Sequence, residues 1–130
     1  MLVLIFLVLA LLLVQAALPG HYLLKQVGPE RQMGPRDDLP PPTPPLSRSR
    51  NALRNLQETL PIFLSLALLN VALGTTNWLA LAGAATYLVA RVIYLGCYMM
   101  GLSPWRSVSW TAALIGMALM AVPLLPRLLG

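Results

Sequence analysis

Polar and apolar positions in this chain fall into long blocks instead of alternating. Residues 2–24 are almost wholly apolar, a polar stretch follows, and three more apolar runs are separated only by Gly74-Thr75-Thr76-Asn77 and Gly101-Leu102-Ser103-Pro104. Crossing about 30 Å of hydrocarbon takes about 20 mostly apolar residues. The pattern therefore predicts an all-α membrane protein of one domain, 1–130, a four-helix bundle with spans over residues 2–24, 49–73, 78–100 and 105–126. So short a turn after the second span makes the second and third spans antiparallel neighbours.

The connector of residues 25–48 holds seven prolines. Proline lacks an N–H and breaks a helix interior, so an extended spacer is expected there, partly polyproline-like in LPPPTPPL. The second span opens with polar residues, and its uncharged part runs only from Thr59 to Leu73. Its first two turns are expected at the interface or inside the bundle.

Composition sharpens this picture in two ways. Hydrophobic residues make up 58% and charged residues 10%, where a soluble domain has about a quarter charged. The net charge of +5 does not point to nucleic acid, because the cations gather beside the spans. Lys25, Arg31, Arg36, Arg48, Arg50 and Arg54 flank or fill the first loop and Arg106 the third, against Arg127 alone on the other side. This asymmetry predicts a multi-pass membrane protein with both termini outside the cytoplasm, the loop inside, and a basic rim suited to anionic lipid. The first span is expected to be retained: no Lys or Arg precedes it, as a cleaved signal peptide would require. Cys97 lies in an apolar run and reads as a small buried hydrophobe. His21 has no second ligand at metal spacing, and no phosphate loop or nucleophile elbow is present.

The chemistry lies in two polar stripes. Asn51, Asn55 and Glu58 follow i, i+4, i+7, with Arg54 at the edge of the same arc; Tyr87, Arg91, Tyr94 and Tyr98 follow i, i+4, i+7, i+11 on the third span. Each set occupies one helix face. Glu58 and Arg91 both lie about 14 Å from the cytoplasmic boundary at 1.5 Å per residue, so they can pair within the bundle or across a subunit interface; Arg54, one turn back, is the other partner open to Glu58. An ionisable group in lipid costs about 3 kcal/mol even on a lenient scale, so both should face protein or water. Pro61 sits early in the span, where it bends the helix and frees the carbonyl of Gln57.

Arg54, Asn55, Glu58, Pro61 and Phe63, followed by Ala90, Arg91, Tyr94 and Tyr98, resemble the MAPEG family of membrane-associated proteins in eicosanoid and glutathione metabolism, in particular its small bacterial branch. The resemblance implies a homotrimer in a bacterial inner membrane, with glutathione sites between subunits, open to the cytoplasm. It implies a glutathione-dependent transferase or peroxidase acting on small lipophilic electrophiles, with glutathione as cosubstrate. Asn55, Glu58, Arg91, Tyr94 and Tyr98, with Arg54, would then hold or line the ligand, and Arg106 would stabilise the thiolate. Two positions depart from the family pattern: Asn51 stands where an Arg is common, and Thr59 where characterised transferases often carry Tyr. Two rivals stay open: a small proton-coupled multidrug exporter built on one membrane carboxylate, and a non-catalytic membrane partner that has kept the fold.

Overall fold

The computed structural model describes residues 1–130. Helix α1 covers Leu2–Val27 and runs through Pro19; Gly28, with φ of 84°, ends it. A short helix α2, Pro29–Met33, then folds back so that the Gln32 side-chain amide donates to the Gly20 carbonyl at 2.6 Å. Helix α3 covers Pro44–Ala72. Helix α4 covers Trp78–Met100, and α5 covers Ser103–Ala121.

The proline connector is where expectation and structure part. It contains α2, and α3 begins at Pro44 instead of residue 49. Pro44 and Pro45 occupy the first positions of α3, where a helix has no use for an N–H and where proline's fixed φ is already helical. The same residue that breaks an interior therefore starts this helix. Gln26 of α1 clips the start in place: its side-chain N–H donates to Pro41 O at 2.7 Å, and its Oε1 accepts from the Thr43 N–H at 3.2 Å. The fourth predicted span also changes character near its end. After Ala121 the chain tightens into a 3-10 turn, Val122–Leu124, and then a short helix α6, Leu125–Leu128. Pro123 and Pro126 cannot donate to the carbonyls one turn back, so a regular α-helix cannot continue.

Three helical segments, Leu2–Val27, Trp78–Met100 and Ser103–Leu128, are long and apolar enough to cross a membrane. Helix α3 has 29 residues, but its N-terminal half is polar. One core is built from α1, α3, α4 and α5, with Val8, Leu56, Phe63, Ala84, Tyr87 and Met120 all fully enclosed. Outside it, Phe6, Leu13, Val92 and Ile115 are exposed on three helices, an apolar exterior that suits acyl chains and not water. Helices α4 and α5 approach closely where Gly83 and Gly116 face each other.

Far from the connector, Asn70 fastens α3 to α5. Its side-chain N–H groups donate to Leu66 O and Met120 O, both at 2.9 Å, and its Oδ1 accepts from the Thr75 hydroxyl at 2.9 Å. Asn70→Ala should cost about 2–3 kcal/mol, because it strands a buried carbonyl as well as removing bonds; thermal unfolding in detergent measures it, and an unchanged midpoint would refute the clamp.

Candidate functional site

The start of α3 and the end of α4 share one end of the bundle, where Arg48 Nη1 donates to Met99 O at 3.1 Å. One helical turn deeper the three helices α3, α4 and α5 enclose a cavity of about 550 Å³, open on its outer side. Helix α3 supplies Asn51, Arg54, Asn55 and Glu58; α4 supplies Tyr94 and Tyr98; α5 supplies Arg106, Ser107, Trp110 and Thr111. The spacing of the two stripes accounts for the first two walls, since residues three or four apart stand on one face of a helix.

A stack of rings and guanidinium groups links the rim to the interior. The Arg106 guanidinium lies 5.0 Å from the Tyr98 ring centre, the Tyr98 and Tyr94 rings are 5.7 Å apart, and the Arg91 guanidinium lies 4.4 Å from the Tyr94 ring centre. Each cation over a ring contributes about 0.5–2 kcal/mol, more where water is excluded. The stack therefore holds Arg106 at the cavity mouth with its charge directed by a rigid partner. The cavity so formed carries two guanidinium groups, one carboxylate, two amides and two phenols. That set can bind a zwitterionic small molecule with more than one carboxylate and can hold negative charge near Arg106.

The pairing of Glu58 expected within the bundle is not formed in this chain. Glu58 makes no ion pair with Arg91 or Arg54, and the chain's one ion pair is the exposed Arg31–Asp38 at 3.9 Å. Arg91 Nη1 instead donates to Asn55 Oδ1 at 2.7 Å. Depth allowed either partner; rotation decided, because Asn55 points across to α4 while Glu58 is exposed and turns to the cavity. Arg91 itself is fully buried and stands behind the cavity wall, without lining it.

Tyr87 also leaves the polar stripe. Its ring stacks on Phe63 at 4.4 Å and its hydroxyl bonds to Thr59 Oγ1 at 2.8 Å, inside the core. Thr59 thus has a packing partner of its own and takes no place in the cavity. The Thr59 hydroxyl also donates to Leu56 O at 3.2 Å, so it stays satisfied if Tyr87 loses its oxygen. Tyr87→Phe should cost no more than about 1 kcal/mol and leave ligand binding unchanged. A clear loss of binding by titration calorimetry would show that Tyr87 acts on the site.

Of the other predicted residues, Arg54, Asn55, Glu58, Tyr94, Tyr98 and Arg106 converge on the one cavity. Asn51, which shares the α3 stripe with Asn55 and Glu58, joins them despite its departure from the family pattern. Ser107, Thr111 and, most plainly, Trp110 were missed. The available signal was its place one turn after Arg106, which puts both side chains on the same face of α5.

A model of the MAPEG family matches residues 1–125. No curated protein matches the chain.

Proposed function

The chain belongs to the MAPEG family, and from that membership we propose that this integral membrane protein is a glutathione-dependent transferase or peroxidase for lipophilic electrophiles. The observation that carries the reading is the convergence of Arg54, Asn55, Glu58, Tyr94, Tyr98 and Arg106, from three helices, on one cavity of about 550 Å³. That volume lies within the roughly 300–1,000 Å³ of small-molecule sites. The donor set fits the tripeptide: a carboxylate for its ammonium group, guanidinium groups for its carboxylates, amides and phenols for its peptide bonds.

When bound, glutathione supplies a thiol that, as thiolate, attacks an electrophilic carbon or a peroxide. The protein's part is to bind and polarise. Glu58 receives the ammonium group, Arg54 a carboxylate, and Asn55 is held by Arg91 to meet the peptide. Arg106, braced on Tyr98, stabilises negative charge on sulfur and so shifts the thiol toward its nucleophilic form. The apolar faces of α4 and α5 beside the cavity admit a substrate dissolved in the bilayer.

In the same reading α3 is the fourth span, with its polar half hidden in the site and its uncharged Thr59–Leu73 portion in the hydrocarbon. A trimer closes the cavity's open side, and the end bearing Arg48, Arg50, Arg54 and Arg106 faces the cytoplasm of a bacterial inner membrane, with both termini outside.

Titration calorimetry of glutathione into the purified protein is the test. Wild type should take up glutathione at millimolar concentration or below, and Glu58→Gln should weaken uptake about tenfold, the loss of one charge-assisted hydrogen bond. No uptake by wild type sinks the proposal. The neutral Asn51 in the cavity wall favours a non-catalytic membrane partner in that event. Proton-driven export by vesicles that depends on the exposed, unpaired Glu58 would establish the exporter reading instead.

A further inference from the structure

Two buried side chains at one depth of the bundle make fewer hydrogen bonds within the protein than their chemistry demands. Gln15 is 1% exposed, and neither its Nε2 nor its Oε1 has a partner. Arg91 is 0% exposed, and of its donor atoms only Nη1 is engaged, with Asn55, while Nε and Nη2 have none. Leaving a buried neutral donor or acceptor unmade costs about 1–3 kcal/mol each, and more on a charged group. Native interiors rarely keep such groups dry.

Their common depth follows from the clasps between helices. Gln26 bonds to Thr43, and Gln15 lies eleven residues from Gln26 along α1 as Arg54 lies eleven from Thr43 along α3. Helices α1 and α3 are antiparallel, so Gln15 is level with Arg54 and Asn55. Asn55 is bonded to Arg91, and α1 packs against both α3 and α4. Pro19 adds to the polar demand at this level, since it has no N–H to give the Gln15 carbonyl one turn back. Donors and acceptors are thus both present: Arg91 Nε and Nη2 and Gln15 Nε2 donate, and Gln15 Oε1 and the Gln15 carbonyl accept.

We propose that ordered water bridges Gln15 to Arg91 in the interior of the bundle, and that Gln15 is through this water a positioning residue for the cavity, fixing Arg91 and hence Asn55. Water suits the mixture better than an anion, because an anion would leave no donor for the two acceptors of Gln15. A buried water makes about three hydrogen bonds, and bridging water holds polar groups nearly as well as direct contact. The inference does not depend on which ligand the cavity takes.

The test is nuclear magnetic resonance of the full chain in lipid nanodiscs with 15N-labelled Arg and Asn. In wild type the Arg91 Nε–H should show magnetisation transfer from water despite its burial. Gln15→Met, similar in length and without hydrogen-bonding groups of comparable strength, should lose that transfer and shift the Asn55 side-chain amide resonance. Gln15→Glu, which keeps acceptors for water, should retain transfer. Absence of water transfer to Arg91 in wild type overturns the proposal, and so does a Gln15→Met protein whose Arg91 and Asn55 resonances are unchanged. A chloride-dependent shift of Arg91 Nε–H overturns it as well, by naming an anion as occupant. Should Gln15→Met fail to fold, the wild-type measurement decides alone.

Discussion

Gly116→Leu should not accumulate as folded protein. A Cβ placed on Gly116 would stand 2.6 Å from Gly83 O and 2.9 Å from Tyr87 N, and one placed on Gly83 would stand 2.5 Å from Gly116 O. These are backbone atoms of the facing helix, so no side-chain rotation relieves the clash; α4 and α5 must separate. Overpacking that side chains can absorb costs about 1–3 kcal/mol, and here the whole contact between two helices is lost. In a membrane the loss is felt more directly, since close packing of small residues is what draws helices together when lipid is as apolar as the helix surface. Gly96 is the control within α4: a Cβ there meets nothing within 4 Å, so Gly96→Ala should be neutral or stabilising by up to about 1 kcal/mol. Gel filtration and thermal unfolding in detergent compare the two. A Gly116→Leu protein with the wild-type midpoint would contradict the close crossing.

If the chain has the proposed glutathione-dependent activity, Arg106→Ala should lower its turnover about 10²- to 10³-fold while changing glutathione affinity far less, the pattern of a group that acts on charge developing at the reacting atom. The guanidinium is the only cation contributed to the cavity by α5, and its stack on Tyr98 at 5.0 Å fixes where it points. Without it the bound thiol returns toward its ordinary pKa of about 8.5. The defect should therefore be largest near neutral pH and shrink as pH rises through that range, where thiolate forms unaided. Arg106→Lys keeps the charge but loses the planar stack, and should recover only part of the rate. Steady-state conjugation of a lipophilic electrophile between pH 6.5 and 9.5 reads all three proteins. Equal turnover by wild type and Arg106→Ala across that range would remove Arg106 from the chemistry.

How much of this was legible in the chain depends on what each residue had to announce. The limits of α4 follow from local chemistry: Asn77 Oδ1 accepts from the Leu79 and Ala80 N–H groups, and Gly101 closes the other end with φ of 73°. The start of α3 was hidden because Pro44 and Pro45 carry the same composition signal as a loop, and only their position relative to the helix decides their effect. Helical spacing assembled the α3 and α4 walls of the cavity, because polar residues on an apolar background mark a face. It was weakest on α5, where polar and apolar residues are mixed and only Arg106, one turn before Trp110, marked the face. Pairing by depth brought α3 and α4 together at the right level yet chose Glu58 over Asn55. One helical turn separates the two candidates, and the rotation of a helix about its own axis leaves no trace in residue counts. The Gly83–Gly116 crossing and the Asn70 clamp were silent for another reason: each is a relation between residues far apart in sequence, and neither partner is unusual alone.

The bond between Arg91 and Asn55 fixes which way the amide faces. A guanidinium can only donate, so the atom of Asn55 that meets it must be oxygen. With its oxygen drawn inward, Asn55 turns its NH₂ to the cavity, and Arg91, itself out of reach, has set the polarity of that wall. A molecule received there is best met with an acceptor at that point.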